Sequence, residues 1–208
     1  MRPQTRVIYN KMEVRGLLQR QTALPHSPWL SRAVDSPEFE EWTRSVFQFV
    51  DAHDMEQNVA HRAMAYFVVY MSKCREGVDW GAMAWQRVAA VWVAVKATRD
   101  FRTPATKFLT SSRLVAPVTP FHVHCLTEAE LDVCRATEFR LHRPTPVDFV
   151  HAMCNTLQAD HTVRRRCIHA LGGAVYGSFV FLDPVTQALV AMCQVDARME
   201  KLLNNTWV

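Results

Sequence analysis

The sequence predicts an all-α fold made of two helical units. Glycine is scarce, at 6 of 208 residues, and the period-2 alternation of half-buried strands is nearly absent. Apolar residues instead recur at three- and four-residue steps along most of the chain. Several of these periodic segments begin at a proline behind a capping residue, as helices commonly do.

The first half contains three long helical patterns. Ser36 can cap a helix that begins at Pro37 and places one apolar face toward a core, formed by Phe39, Trp42, Val46, Phe47 and Val50. The next pattern runs from about Asn58 to Ser72 and is apolar on more than one side. The third runs from about Asp79 to Lys96 and is apolar nearly all round. We therefore expect the third helix to be the central and most buried one.

Prolines and a capping pattern organise the following segment. Thr103-Pro104 predicts a short helix toward Leu109, whereas the stretch from Pro117 to Pro120 predicts a linker. Thr127-Glu128-Ala129-Glu130 has the capping-box pattern, which predicts that a fifth helix starts there.

A joint at Arg143-Pro144-Thr145-Pro146 then separates the two halves. Helical patterns resume at Thr145-Pro146, again after the polar break of residues 158–161, and at Asp183-Pro184. The predicted order is five helices, the joint, and at least three more helices.

Composition excludes several classes of protein. With 49% hydrophobic residues the chain can build a sizeable core, but it has no run of about 18 apolar residues that could span a membrane. The N-terminus lacks a secretory signal pattern, so we expect an intracellular protein. The six cysteines are scattered without a Cys-x-x-Cys pair and are expected to be reduced. A net charge of +4 is modest for a nucleic-acid binder.

No catalytic or metal motif is evident. His122-Val123-His124-Cys125 offers three metal-ligating side chains, but no second cluster lies at zinc-finger spacing, which favours a loop histidine pair. Phosphate-binding glycine loops, nucleophile elbows and His-Glu-x-x-His are missing from the sequence. We therefore expect no catalysis, no metal and no cofactor.

From Ser36 to about Met192 the organisation resembles the pair of five-helix boxes of the cyclin family. Ala94-Val95-Lys96 is similar to the family's Ala-Ser-Lys. The stretch from Glu130 to Pro146 resembles the fifth-helix pattern of a glutamate, two apolar residues, an aromatic-x-Leu and Pro-Thr-Pro. Asp183-Pro184 and the residues after it are similar to the proline-led third helix of the second box.

The resemblance implies a domain organisation. Residues 1–35 would be an N-terminal extension, residues 36–143 the N-terminal cyclin box, and residues 144–208 a C-terminal cyclin-box-like unit that lacks its last helices. The fold class implied is two tandem cyclin-box units.

The resemblance also implies a binding site for a cyclin-dependent protein kinase. Lys96 and Glu130 would contact the kinase as a charged pair, flanked by apolar contacts from Val93, Cys134, Phe139 and Leu141. Each charge also has a purely structural interpretation. Lys96 closes a helix, where the dipole favours a cation, and Glu130 is the capping-box partner of Thr127.

The sequence departs from the family in several places. Ala97-Thr98-Arg99-Asp100 replaces the aromatic and acidic residues that commonly follow the lysine. Arg44 matches the arginine of the family's Met-Arg-Ala-Ile-Leu signature, but the residue that should pair with it falls at Val68. We therefore expect a groove that docks Arg-x-Leu motifs to be absent or altered.

The expected function is that of a cyclin, a non-catalytic subunit that binds and activates a cyclin-dependent kinase in the nucleus, the cytoplasm or both. The alternative is a TFIIB-like adaptor of a transcription complex that binds nucleic acid or other proteins. The adaptor requires basic residues on one surface, and the only dense basic cluster is Arg164-Arg165-Arg166. The sequence thus favours a kinase over nucleic acid as partner.

Overall fold

A computed structural model describes residues 14–19, 24–74, 76, 79–98, 104–112, 118–174 and 177–195. All regular secondary structure in these residues is helical, which confirms the all-α prediction. Within the same residues, every helix is too short or too polar to cross a membrane. The chain divides into two compact units, a first unit at Leu24–His142 and a second unit that combines Met1–Ala23 with Arg143–Val208.

The described part of the first unit contains six α-helices and one 3-10 turn. In chain order these are α1 (Pro28–Val34), α2 (Pro37–Ala52), α3 (Asn58–Lys73), the 3-10 turn Gly81–Met83, α4 (Ala84–Thr98), α5 (Ala105–Ser112) and α6 (Pro120–Ala136).

Helix α2 begins as its sequence predicts. Pro37 occupies the first turn, and the Ser36 hydroxyl accepts a 3.2 Å hydrogen bond from the Phe39 N–H. Trp42 and Val50 lie on the buried face of α2. The Trp42 ring packs 4.8 Å, centroid to centroid, from Phe67 of α3. The cap therefore places this aromatic face against α3.

Helix α4 is central, because it packs against both α3 and α6. Its residues 89–95 form seven consecutive buried positions, so this half of the helix is enclosed on every side. Helix α3 nevertheless buries 11 of its 16 residues, a larger share than the 7 of 15 in α4. The prediction that α4 is the most buried helix is therefore wrong, because the N-terminal half of α4 borders a surface groove.

Helix α6 starts about two turns before the predicted position. It begins at Pro120, and the Thr119 N–H donates a 3.1 Å hydrogen bond to His122 Nδ1. Thr127 lies inside the helix, where its hydroxyl donates to the Val123 carbonyl at 2.9 Å. The predicted linker therefore ends in a Thr-Pro helix start, and Thr127 and Glu130 do not form a capping box.

In its described residues after the joint, the second unit has three α-helices, α7 (Pro146–Leu157), α8 (His161–Ala174) and α9 (Pro184–Val195), with a 3-10 turn at Gly177–Phe181. Helix α9 packs on both α7 and α8. Residues of a short helical stretch at 14–19 also join this core. Its fully buried members include Phe149, Val150, Cys154, Cys167, Leu171, Ala188, Ala191 and Met192.

Two predicted helix starts in the second unit are confirmed. At Thr145-Pro146 a capping box forms, with the Thr145 N–H donating to Asp148 Oδ2 at 2.7 Å and the Asp148 N–H donating to the Thr145 hydroxyl at 3.3 Å. At Asp183-Pro184 the Thr186 N–H donates to Asp183 Oδ1 at 2.9 Å. Both starts were set by local capping chemistry.

The boundary between the two compact units lies close to the predicted joint. The first unit ends at His142, next to the Pro-Thr-Pro joint. Residues 24–35, which the sequence places in an N-terminal extension, contain helix α1 and belong to the first unit. The assignment of 36–143 and 144–208 as cyclin boxes stays a prediction.

His61 gives the first unit a pH-dependent stability. Its side chain lies on α3 at 5% exposure, and burial lowers its pKa from 6.5 to about 4. The unfolded chain therefore binds a proton between these pH values that the folded chain excludes. We expect the free energy of unfolding to fall by up to about 3 kcal/mol as the pH drops from about 6.5 to about 4.

Urea unfolding at a series of pH values measures this loss for the wild type and for His61→Leu, which cannot titrate. The exposed His124, changed to glutamine, is the control. An equal pH dependence in wild type and His61→Leu would contradict the assignment.

Candidate partner-binding site

Lys96 and Glu130 are in contact in the first unit. Lys96 lies in the last turn of α4, Glu130 lies in the middle of α6, and the Lys96 ammonium donates a hydrogen bond to Glu130 Oε1. The lysine side chain is 42% exposed and the glutamate side chain is 23% exposed. The two helices therefore bring both predicted charges together at the surface.

Trp92 contacts both members of this pair. Its indole Nε1–H donates a 2.8 Å hydrogen bond to Glu130 Oε2, and Lys96 Nζ lies 5.4 Å from the centroid of its ring. The tryptophan itself is only 5% exposed. Each carboxylate oxygen of Glu130 thus has its own donor, and the lysine rests over an aromatic face that attracts cations.

Of the two purely structural roles predicted for these charges, only that of Lys96 at a helix end agrees with the structure. Glu130 has no capping role, because α6 begins ten residues earlier at Pro120. Lys96 does lie in the last turn of α4, where the helix dipole favours a cation. The position of Lys96 therefore suits both the helix end and the ion pair.

Val93 does not form part of a contact surface. It lies on α4 at 1% exposure and packs into the core of the first unit, so a rigid partner could not touch it. The prediction that Val93 contacts the partner is corrected for this reason, and its role is to pack beneath the site. Periodicity alone could not separate the buried from the exposed face of a helix that is apolar all round.

Cys134 lies one turn after Glu130 on α6 and is 7% exposed. Burial raises the pKa of its thiol, the negative charge of Glu130 raises it further, and Lys96 opposes both effects. The side chain is thus a protonated thiol at neutral pH, and it contributes a small apolar surface rather than a nucleophile.

Phe139 projects from a strained turn after α6. Its side chain is 63% exposed, and both it and Glu138 adopt left-handed backbone angles, with φ of 57° and 54°. The Phe139 N–H donates to the Cys134 carbonyl at 2.8 Å, and the buried Thr137 hydroxyl lies 3.0 Å from the Val133 carbonyl. These bonds hold a backbone conformation that a phenylalanine rarely adopts.

Leu141 is held from beneath by helix α3. Its carbonyl accepts a hydrogen bond from the hydroxyl of Tyr66, a residue that is 1% exposed. The Leu141 side chain is half-buried. The structure therefore fixes the backbone at both predicted apolar residues of this turn.

We define the charged site as Lys96, Glu130 and Trp92, and the apolar turn as Phe139 and Leu141. Helix α6 connects the charged site to the apolar turn. The link runs along α6, from Glu130 to Cys134 and from the Cys134 carbonyl to Phe139. Exposed Leu131, beside Glu130, was missed by the sequence analysis and adds an apolar side chain that is 41% exposed.

A groove of about 470 Å³ lies beside α2 in the first unit. Its lining includes Trp42, Val46 and Phe49 of α2 and Arg87 of α4, whose guanidinium lies 4.8 Å from the Trp80 ring centroid. Arg44 is not part of this lining. It forms a 2.7 Å surface ion pair with Glu40, while Val68 is fully buried in α3.

His122, His124 and Cys125, the three potential metal ligands of the sequence, belong to helix α6. His122 to Cys125 lie in the first turns of α6 and not in a loop, which corrects that prediction, because Pro120 starts the helix before them. Among the residues described, no three His, Cys, Asp or Glu side chains are grouped as a metal site would require.

The arginine triplet of the second unit is divided by the helix. Arg164 of α8 turns toward α7 and donates to Asn155 Oδ1 at 2.6 Å, whereas Arg165 and Arg166 are exposed. The triplet therefore does not present three free charges on one surface.

Comparison with known proteins supports the fold. No family model and no curated protein matches the chain. A chain of the CAK complex from Chaetomium thermophilum, bound to ATP-γ-S, is similar in structure with a TM-score of 0.60 and 14% sequence identity. The match covers 98% of this chain and 65% of that chain, so this chain spans slightly less than two thirds of its neighbour. Together with the all-helical architecture, the likeness supports a cyclin-like fold.

The strained turn leads to a stability prediction. Because glycine adopts positive φ without the cost of about 1–2 kcal/mol that other residues have, Phe139→Gly should relieve strain. The exposed ring contributes little packing, so we expect the variant to be more stable in urea unfolding by up to about 1 kcal/mol.

Phe139→Ala is the matched control, since it removes the ring but keeps the Cβ and the strain. A glycine variant less stable than the alanine variant would show that the turn is not strained.

Proposed function

We propose that this chain is a cyclin-like regulatory subunit that binds and activates a cyclin-dependent protein kinase. The observation that carries the proposal is the Lys96–Glu130 ion pair, held by Trp92 at the surface of the first unit. Regulation in the nucleus, the cytoplasm or both, without catalysis by the chain itself, is part of the same proposal.

The pair has hydrogen-bonding capacity left for a partner. An ammonium has three donors and a carboxylate has about four acceptor positions, so both groups keep unused hydrogen-bonding positions after the Lys96–Glu130 bond and the Trp92–Glu130 bond have formed. An exposed ion pair contributes only about 0–1 kcal/mol to stability, which is little return for ordering two long side chains. A partner backbone, with its carbonyl acceptors and N–H donors, could use both remaining capacities at once.

The apolar turn supplies the second component of an interface. Phe139 is 63% exposed, and aromatic side chains of this kind often anchor protein interfaces. Its backbone is fixed by the hydrogen bonds of the turn, so less backbone freedom would be lost when a partner binds. A charged pair that joins α4 to α6 and an exposed aromatic side chain just after the end of α6 suit a protein surface better than a nucleic-acid backbone.

The structural neighbour supports the same assignment. A chain of the CAK complex, which was determined with ATP-γ-S bound, is similar in fold to this chain, and this likeness supports a cyclin-like fold. Lys96 also resembles the lysine of the family's Ala-Ser-Lys, and Glu130, Phe139 and Leu141 resemble its fifth-helix pattern. We infer the kinase partner from these two lines of support together.

Charge variants test the site. Lys96→Ala and Glu130→Gln should each weaken kinase binding by about 2–5 kcal/mol, because each leaves its former partner desolvated and unpaired in the complex. The melting temperature of the free chain should hardly change, since the pair is partly exposed and Glu130 has no capping role. Calorimetric titration of purified cyclin-dependent kinases, tested one at a time, gives the affinity, and a peptide phosphorylation assay gives the activation.

Glu40→Gln is the matched control, because it breaks the exposed ion pair with Arg44 on α2. It should leave both affinity and activation unchanged. The proposal is wrong if no kinase of the panel binds the wild type, or if the Lys96 and Glu130 variants bind and activate as well as the Glu40 variant does.

A further inference from the structure

We propose that Trp92 is a positioning residue of the charged site, which fixes Glu130 and Lys96 in the arrangement that a kinase partner meets. The inference rests on the proposed function, but it concerns a side chain that the resemblance to cyclins does not assign. It makes the site a three-residue unit in which a buried aromatic side chain orients two surface charges.

The hydrogen bond from Trp92 restricts the rotation of the Glu130 carboxylate. An indole has a single donor, and here it is directed at Glu130 Oε2 over 2.8 Å. The other oxygen, Oε1, accepts from Lys96. A carboxylate bound at both oxygens by donors from the same helix α4 cannot rotate about its last bond without losing one of them.

The ring of Trp92 also restricts the conformational freedom of the Lys96 side chain. Lys96 follows Trp92 by four residues, so both side chains lie on one face of α4. The ammonium is 5.4 Å from the ring centroid, within the range of a cation–π contact. Lysine and glutamate lose considerable side-chain freedom when they bind a partner, and prior ordering by Trp92 reduces that loss.

The tryptophan is itself immobile. It is 5% exposed, its neighbours Val91, Val93 and Val95 are buried, and its ring lies 4.8 Å from the Phe108 ring of α5. Its orientation is thus set by the core and is transmitted to the charges through one hydrogen bond and one ring contact. A side chain that served only to fill the core would not need to contact both Glu130 and Lys96.

Measurements of kinase affinity distinguish a positioning role of Trp92 from a role in core packing alone. Trp92→Phe keeps a buried ring but removes the indole N–H, and we expect it to weaken binding about 5- to 30-fold, mainly through faster dissociation. Trp85→Phe is the matched control on the same helix, since Trp85 stacks on His122 and makes no described contact with the charged site. It should change affinity less than about twofold.

A double-mutant cycle shows whether Trp92→Phe lowers the affinity through Glu130 or through the fold. If Trp92 acts through Glu130, then Trp92→Phe should have less than about a twofold effect in a Glu130→Ala background. An equal loss in both backgrounds would mean that Trp92 acts through the fold, and it overturns the inference. If Glu130→Gln weakens binding but Trp92→Phe behaves like Trp85→Phe, the inference fails and the proposed function stands.

The free chain provides a test that needs no kinase. In ¹⁵N-correlated NMR spectra the indole N–H signal of Trp92, assigned by its loss in Trp92→Phe, should move upfield in Glu130→Ala, because its acceptor is gone. The Trp85 signal should not move. An unchanged Trp92 signal overturns the inference, whether or not a kinase binds.

Discussion

The burial of helix α4 between α3 and α6 is the constraint on which the first unit depends. Small residues Ala89, Ala90 and Ala94, all without exposed surface, allow the neighbouring helices to approach closely, and the valines between them fill the core. Where α4 leaves this core, its last turn meets the middle of α6. The Lys96–Glu130 contact is therefore a consequence of core packing, since no local signal near either residue requires it.

At the end of α6 the fold imposes a backbone conformation that the local sequence does not favour. Two successive non-glycine residues with positive φ are locally unfavourable, and Phe139 leaves most of its ring in water. Thr137 and the Cys134 carbonyl hold the turn from within the first unit, and Tyr66 holds it through Leu141. Residues that violate local rules and are stabilised by their surroundings are expected at functional positions.

Capping chemistry determined which parts of the fold could be predicted. The starts at Ser36, Thr145 and Asp183 were predictable, because a capping oxygen and a following proline act within four residues. The start of α6 was missed, because Thr119-Pro120 was assigned to a linker, and a Thr-x-x-Glu pattern inside a helix looks the same in sequence as one at its start. The error concealed that the Glu130 carboxylate is available for another partner.

The contact between Trp92 and Glu130 could not be predicted for a different reason. Periodicity indicates which face of a helix is buried, but not the register in which two helices pack, and these residues are 38 positions apart. One general rule could still have pointed to it, because a buried indole N–H requires an acceptor, and few acceptors occur in so apolar a core. Glu130 satisfies that requirement while remaining partly exposed. The core and the surface site therefore share one carboxylate, so substitutions at position 130 affect both the packing of α4 and the charge offered to a partner. Glutamine preserves an acceptor for Trp92 and removes the charge, and so the two roles can be separated.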